Sequence, residues 1–265
     1  PAVLLTWWTS QKSAYKTKVY SILTEMLSAH REIVTSIKMG DLEGRDAFAA
    51  MLREFTAIYR IVARVNQSYG QGWSTTQKVD IAYTFLIFGP TYTCWGELQS
   101  YEGESIRAIS ADVSRLKSKF SSKKLFIGHQ NRLSHYFRNL YSSFEFLDGT
   151  RLTEKEKLTL GKLFRTQMTN YEQALFAFNC LSHYGSPWVT SGLLGKFKII
   201  KNIPRLFSEL DSETTFKDLF PYIDFEWENH GAEAISATRL SFLSLTIYVH
   251  RRVRATNTSQ SKSAD

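Results

Sequence analysis

Residues 128–147, GHQNRLSHYFRNLYSSFEFL, carry the clearest periodic pattern in the chain. Large apolar side chains recur there every three or four positions, which is the spacing of one face of an α-helix. Asp148-Gly149 follows the pattern, and glycine commonly marks the end of a helix. We therefore predict a helix over residues 128–147 whose buried face consists of Leu133, Tyr136, Phe137, Leu140, Phe144 and Leu147.

The same spacing predicts helices along most of the remaining chain. Thr153 followed by Glu154 and Glu156 is typical of a helix start, because a hydroxyl caps the first turn and acids complement the helix dipole. No stretch alternates with the period of a strand, and only 5 prolines and 14 glycines argue against a protein of many tight turns. The predicted fold is mostly α, a compact bundle of about six to eight helices without a substantial sheet, with helices at about 11–38, 44–65, 79–88, 104–120, 128–147, 153–183, 191–201 and 234–253.

The composition narrows the classes of function. Of 265 residues, 43% are hydrophobic and 22% are charged, as in a folded globular protein. Two cysteines cannot form a disulfide framework or a four-ligand zinc site. The sequence lacks the phosphate-binding glycine motifs, the zinc-protease motif and the serine-hydrolase motif. Its six histidines are scattered, which favours surface or hydrogen-bonding roles over metal binding, so we expect no metal and no cofactor.

The two ends of the chain differ from its middle. Residues 1–10 are largely apolar and include Trp7 and Trp8, but this stretch is too short to cross a bilayer. It is either a loose segment that has lost its methionine, or the end of a membrane-proximal segment, since tryptophan favours membrane interfaces. We assign residues 11–254 to one helical domain and the small, polar residues 255–265 to a disordered tail.

A basic cluster lies near the middle of the chain, within a formal net charge of +8. It is either a solvated helix face or a surface for nucleic-acid phosphates or an anionic membrane. Few aromatic residues accompany it, which weakens the case for binding single-stranded nucleic acid. Its members are Arg115, Lys117, Lys119, Lys123 and Lys124.

One pair of residues keeps an enzymatic function open. Helical ribonucleases of the HEPN type carry an arginine followed, after four to six residues, by a histidine. Arg132 and His135 are separated by only two residues, although positions three apart do share a helix face. A variant ribonuclease site therefore remains an alternative.

A polar stripe is predicted on the helix at 153–183. Arg165, Thr169, Glu172 and Asn179 fall at helical spacing among apolar neighbours. If this helix packs antiparallel to the helix at 128–147, Arg138 could meet Glu172, because a buried charge is costly unless it is paired. The stripe is either a structural ion pair or a polar functional site inside the bundle.

The same two segments carry a family resemblance. Gly128-His129, Leu133, Tyr136-Phe137-Arg138 and Leu140-Tyr141, continuing to Phe146 and Asp148, resemble the core motif of the AbiC-like family of phage abortive-infection proteins. The second motif of that family is similar to Arg165, Gln167-Met168-Thr169, Glu172, Leu175 and Asn179. Gly44-Arg45 with Ala47-Phe48 is similar to an early element, so the resemblance covers about residues 15–210.

The resemblance implies a bacterial anti-phage protein, and many family members carry membrane helices ahead of the soluble domain. We therefore expect a toxic effector domain that catalyses no reaction, on the cytoplasmic side of the inner membrane. The expected partners are the inner membrane through a missing N-terminal segment, a defence sensor such as a retron reverse transcriptase with its DNA, or further copies of the chain. The alternatives are the ribonuclease and, behind it, a nucleic-acid-binding sensor. The candidate functional residues are the polar ladder Arg138, Arg165, Gln167, Glu172 and Asn179 and the motif residues His129, Arg132, His135 and Tyr136. The positions to test first are His129, Arg138 and Glu172.

Overall fold

The helix predicted at residues 128–147 forms as α6, Gln130–Gly149. All six side chains predicted on its inner face are buried. The computed structural model describes residues 2–120, 124–208 and 214–229. Within that part, the elements before α6 are α1 Ala2–Ser36, β1 Lys38–Met39, β2 Leu42–Glu43, α2 Arg45–Ser68, α3 Thr75–Phe88, α4 Tyr92–Glu97 and α5 Gly103–Lys119.

Shorter elements follow α6 and close the bundle. They are α7 Glu154–Gln167, α8 Asn170–Leu181, a 3₁₀ turn His183–Gly185, α9 Ser186–Thr190, α10 Leu193–Phe197, a second 3₁₀ turn Arg205–Ser208, α11 Phe216–Leu219 and α12 Glu226–Asn229. The mostly α fold is therefore confirmed. The only sheet in the described residues is an antiparallel hairpin that pairs Lys38 with Glu43 and Met39 with Leu42. Strands of two residues are too short to show an alternating pattern, so the sequence does not predict them.

The core forms around α2, which packs against α3, α5 and α8, while α1 packs against α6. Apolar spacing over residues 44–65 predicts an inward face that includes Phe48 and Phe55, and both residues are buried in α2. The Phe55 ring stacks on Phe178 of α8 with 4.1 Å between ring centroids. Each large apolar side chain buried in this way contributes about 1.5–3 kcal/mol. Aromatic packing between α2 and α8 therefore fixes the position of α8 inside the bundle.

The single helix predicted over residues 153–183 is wrong, because the structure divides it into α7 and α8. Met168 has an extended backbone between them, with φ of −82° and ψ of 132°. Thr169 then caps α8: its hydroxyl accepts from the Glu172 backbone N–H, and the Glu172 carboxylate accepts from the Thr169 N–H. Thr153 and Glu156 form the same reciprocal pair at the start of α7. A threonine followed three residues later by glutamate is a helix-start signature, and it occurs at both places.

The start of α6 is anchored on the end of α3. The His129 N–H donates to the carbonyl oxygens of Leu86 and Ile87, at 3.1 and 2.9 Å. A Cβ atom on Gly128 would lie 2.7 Å from the carbonyl carbon of Phe88, and the residue has φ of +92°. Only glycine permits both this backbone conformation and this approach. The family-motif pair Gly128-His129 thus sets where α6 begins.

The early turns of α1 carry two exposed tryptophans. The helix begins at Ala2 rather than near residue 11, and it continues without a break through residue 10. Tyr15 and Lys16 connect α1 to the body: the Tyr15 hydroxyl accepts from the Arg151 N–H, and Lys16 pairs with Glu156. Trp7 and Trp8 are each 61% exposed. Among the described residues, no helix combines the length and the apolar composition that crossing a bilayer requires.

Several expected boundaries fall differently or lie outside the described residues. The helix predicted at about 191–201 is shorter in the structure: only α10, Leu193–Phe197, lies in this range, between Gly192 and Lys198, which both have left-handed backbones. The predicted helix at 234–253, the tail at 255–265 and Lys123 lie outside the described part of the chain.

Candidate functional site

The predicted polar stripe does not exist as one helical face. Arg165 lies in the last turn of α7, Thr169 caps α8, and Glu172 and Asn179 belong to α8. The break at Met168 and Thr169 interrupts the helical repeat on which the stripe depends. Arg165, Glu172 and Asn179 therefore contact different residues: Lys198, Thr169 and Tyr83, respectively.

The predicted ion pair between Arg138 and Glu172 is also wrong. Arg138 is exposed on α6, whereas Glu172 is fully buried. One carboxylate oxygen of Glu172 accepts from the Thr169 N–H at 2.5 Å, and the other has no hydrogen-bond partner. The physical reason is local: Glu172 occupies the third position of α8, so its carboxylate turns back to the start of its own helix.

Arg165 and Gln167 make separate contacts at the end of α7. Arg165 Nη1 donates to the Lys198 carbonyl oxygen at 3.1 Å, while its Nε is buried without a partner. Burial lowers the pKa of Arg165 from its usual value, and Glu226 acts in the opposite direction. Arg165 thus connects α7 to the segment after α10. Gln167 instead faces α1 and α2.

A group of buried polar side chains lies where α1, α6 and α8 meet, and we call it the interior polar cluster (His30, Tyr136 and Glu172). His30 is 2% exposed and the other two are fully buried. The His30 and Tyr136 ring centroids are 5.3 Å apart. Both ring nitrogens of His30, the Tyr136 hydroxyl and Oε1 of Glu172 lack hydrogen-bond partners. Such a concentration of unsatisfied groups is unusual, since buried polar atoms are nearly always paired.

Burial shifts the protonation of all three members of the interior polar cluster. It raises the pKa of Glu172 to about 7, although hydrogen bonds from Thr169 and the charge of Arg45 act in the opposite direction. It lowers the pKa of His30 to about 4, and nearby Arg31 acts in the same direction. Burial, with the charge of Glu172, raises the pKa of Tyr136 well above its usual value. The carboxyl of Glu172 therefore changes charge near neutral pH, whereas the other two groups stay uncharged there.

Two exposed arginines converge on Gln167 near the interior polar cluster. Arg31 Nε donates to the Gln167 side-chain oxygen at 3.2 Å, and Arg45 Nη2 donates to the Gln167 carbonyl oxygen at 3.4 Å. Arg45 also lowers the pKa of Glu172 through its charge. Arg45, Tyr136, Gln167 and Glu172 come from separate family-motif segments, so the fold gathers these segments in one region.

His129 takes part in a buried pair with Glu54 of α2. His129 is fully buried and Glu54 is 2% exposed. His129 Nε2 lies 3.0 Å from Glu54 Oε2, which also accepts from the Phe126 N–H at 2.9 Å. The sequence prediction of a hydrogen-bonding histidine holds at this position, but it misses Glu54. A signal existed, because Glu54 follows Met51 by three positions and precedes Ile58 by four on the apolar face of α2.

Arg132 and His135 have different surroundings. Arg132 Nε donates to the Lys38 carbonyl oxygen at 2.7 Å, and its Nη1 lies 3.5 Å from His129 Nδ1. Arg132 therefore connects α6 to β1 and to the Glu54–His129 pair. His135 is exposed. The ribonuclease alternative stays a prediction, and these contacts give Arg132 a structural role.

A cavity of about 300 Å³ opens beside α6, and we call it the aromatic cleft. Asn179, a member of the predicted polar stripe, and Arg138, its expected partner from α6, line this cleft together with Ser134. Asn179 Nδ2 donates to the Tyr83 hydroxyl at 3.1 Å. The aromatic residues of its wall are Tyr83, Phe137, Tyr141, Tyr184 and Trp188. Arg138 therefore lines the same cleft as Asn179 and does not pair with Glu172.

A second polar cluster adjoins this cleft through Tyr184. His183 Nδ1 lies 2.8 Å from Asp80 Oδ1, and the Tyr101 hydroxyl donates to Asp80 Oδ2 at 3.0 Å. The Tyr184 hydroxyl donates to Glu97 at 3.3 Å. These contacts hold the turn after α8 against α3 and α4. Their members lie up to about a hundred residues apart in sequence, so no local pattern could reveal them.

The described part of the basic cluster is a helix end rather than a dense patch. Arg115 pairs with Asp112 at 2.7 Å. Lys117 and Lys119 occupy the last turn of α5, where positive charge is favourable to the helix dipole. Lys124 is exposed and has φ of +52°. Asp112 thus partly neutralises the charge of Arg115. The favourable interaction with the helix dipole explains why Lys117 and Lys119 lie at the end of α5.

Metal and thiol chemistry find no support in the described residues. No group of three or more histidine, cysteine, aspartate or glutamate side chains in residues 2–120, 124–208 and 214–229 could hold a metal ion. Cys94 and Cys180 are buried and free. Burial raises the pKa of the Cys94 thiol to about 12 and that of Cys180 well above its usual value. Neither thiol is therefore activated as a nucleophile.

Residues 128–207 match the family model described as putative phage abortive infection protein (putAbiC). The matched segment begins at Gly128-His129 and includes α6 to α10. The match confirms the resemblance to the AbiC-like family over this segment; the early Gly44-Arg45 element lies outside it. No curated protein and no solved structure matches the chain.

Proposed function

We propose that this chain, whose residues 128–207 match the phage abortive-infection family, is a helical effector domain of a bacterial anti-phage system. The family match is the observation that carries the proposal. The matched segment also supplies Tyr136 and Glu172 of the interior polar cluster and Arg138 and Asn179 of the aromatic cleft. Both features are therefore the places to look for residues that the antiviral action requires.

We further propose that the effector acts at the inner membrane through the first turns of α1 and without catalysing a reaction. Trp7 and Trp8 are exposed on the early turns of α1, and Lys12 Nζ lies 5.6 Å from the Trp8 ring centroid. Tryptophan favours the membrane interface, and lysine is attracted to anionic lipid. This combination supports attachment to a bilayer surface.

Membrane attachment is expected to depend on the two tryptophans. Each one contributes about 1.5 kcal/mol if its ring enters the interface, as for other large apolar side chains. The Trp7→Ala/Trp8→Ala double variant should therefore bind vesicles of phosphatidylcholine and phosphatidylglycerol about 100-fold more weakly than the unaltered chain. Co-sedimentation with the vesicles measures this ratio.

Tyr92→Ala is the matched control for the vesicle experiment. Tyr92 is 90% exposed on α4 and is also aromatic, but it lies away from the start of α1. Its replacement should leave vesicle binding unchanged. Equal binding by the double variant and the unaltered chain would exclude the tryptophans from attachment.

Antiviral protection tests the proposed function directly. Cells that carry the complete gene should lose most of their protection when Arg138→Ala is introduced, because this change alters the aromatic cleft without removing a buried contact. Phage plating efficiency measures protection, and immunoblotting checks that protein levels match. Arg53→Ala, an equal loss of charge at an exposed position on α2, should retain protection. Full protection with Arg138→Ala would remove this side chain from the mechanism.

A further inference from the structure

The aromatic cleft has the shape and the lining of a small-ligand site. Five aromatic side chains from α3, α6, the 3₁₀ turn and α9 surround a volume of about 300 Å³. The Tyr141 and Trp188 rings meet edge to face at 5.1 Å, and the Tyr83 and Tyr184 rings are 6.2 Å apart. Ligand pockets are typically apolar cavities of about 300–1,000 Å³ with a few polar groups. The cleft therefore accommodates one flat ring system rather than an extended polymer.

The wall of the cleft is fixed before any ligand arrives. A Cβ atom on Gly185 would lie 2.1 Å from the Asn179 carbonyl oxygen, so only glycine allows the 3₁₀ turn to fold back onto α8. This approach brings Tyr184 and Trp188 to the cleft. Trp188 is 2% exposed and also packs edge to face on Phe176 at 4.7 Å. Little side-chain entropy remains to be lost on binding, which favours affinity.

Arg138 supplies positive charge at the rim of the cleft. Across the described residues, its guanidinium makes no ion pair or hydrogen bond with another residue. Arg115 and Lys196, in contrast, pair with Asp112 and Asp148. An arginine that is exposed beside aromatic walls matches an anion that is attached to a flat ring, because guanidinium binds phosphate oxygens in two-pronged hydrogen bonds.

We propose that the aromatic cleft binds a free nucleoside monophosphate. The base lies against Tyr141 and Tyr184, the aromatic residues of the cleft that remain partly exposed, and stacks on their rings. Ser134 and Asn179 also line this cavity, and they supply polar groups for the edge of the base. The phosphate binds to Arg138. This proposal is separate from membrane attachment, because none of the residues that line the cleft belongs to α1.

Calorimetric titration of the full chain tests this proposal with defined probes. AMP, GMP, CMP and UMP are each compared with the matching nucleoside and with inorganic phosphate. We expect at least one nucleotide to bind at least about 10-fold more tightly than its nucleoside, since a charge-assisted hydrogen bond contributes about 1.5–3 kcal/mol. Arg138→Ala should remove this difference, so that nucleotide and nucleoside bind equally. Arg53→Ala should preserve it.

Three results would overturn the proposal. The first is that no nucleotide binds more tightly than its nucleoside. The second is that phosphate alone accounts for all of the affinity, because the aromatic walls then contribute nothing. The third is an equal loss of binding in Arg138→Ala and Arg53→Ala, which would indicate attraction by the net charge of +8 rather than a site. Arg138 is exposed, so its replacement leaves the packed core intact.

Discussion

Replacing Glu54 with alanine is expected to lower the free energy of unfolding by about 3–5 kcal/mol. The change removes the acceptor of both the Phe126 N–H and His129 Nε2, and it leaves these buried groups without a partner. Each unsatisfied buried group costs about 1–3 kcal/mol. Phe126 and His129 lie just before the start of α6. Their unpaired groups therefore weaken the attachment of this helix to α2 and α3. Urea denaturation measures the change.

Glu25→Ala provides the matched control for this prediction. Glu25 is exposed on α1, so its replacement should change the free energy of unfolding by less than about 0.5 kcal/mol. Glu54→Gln keeps an acceptor for the Phe126 N–H. Its free energy of unfolding should therefore lie between those of Glu54→Ala and Glu25→Ala. A loss below about 1 kcal/mol for Glu54→Ala, with an unchanged dependence on urea, would contradict a stabilising role for the pair.

Glu172→Gln is expected to stabilise the protein above pH 7 and to have little such effect below pH 4.5. Burial raises the pKa of Glu172 from 4.5 to about 7, so the folded state holds a proton that the unfolded state releases between these values. Stability therefore falls as pH rises through this window. The shift corresponds to a loss of about 3 kcal/mol in the free energy of unfolding of the unaltered chain. The Glu172→Gln variant does not undergo this loss, because glutamine carries no titratable proton. The variant's advantage over the unaltered chain should grow by about this amount from pH 4.5 to pH 8.

Glu156→Gln is a matched control with the opposite sign. Glu156 holds the corresponding place at the start of α7, but the hydrogen bond from Lys16, with those from Thr153, lowers its pKa to about 2. Its contribution to stability is present above pH 4.5 and is lost as pH falls toward 2. Glu156→Gln should therefore destabilise the protein at neutral pH. A constant difference between Glu172→Gln and the unaltered chain across pH 4.5–8 would contradict the buried, proton-binding state of Glu172.

The helices and their buried faces follow from sequence where apolar spacing is regular. α2 and α6 bury the predicted residues because each has one continuous apolar stripe. The division between α7 and α8 is missed because apolar residues continue across Thr169 and hide the capping signature. The error matters for the site, since the predicted polar stripe required one unbroken helix.

The contacts that define the site depend on tertiary packing. Tyr83 and Trp188 are more than a hundred residues apart, and only the fold places them in one cavity. The sequence contains a signal for Glu54 and His30, because each is a polar side chain that interrupts an apolar helical stripe. What such an interruption cannot reveal is the partner. Glu54 finds His129, whereas His30 has no hydrogen-bond partner.

The unbroken course of α1 has a mechanical consequence. From Trp8 to His30 the helix rises about 33 Å, and a helix of this length moves as a stiff rod. Tyr15 and Lys16 connect this helix to the body through Arg151 and Glu156. A displacement of the early turns is therefore transmitted along the helix axis to Leu23 and His30, which are buried in the closely packed interior. One helix thus connects the exposed tryptophans to the interior polar cluster.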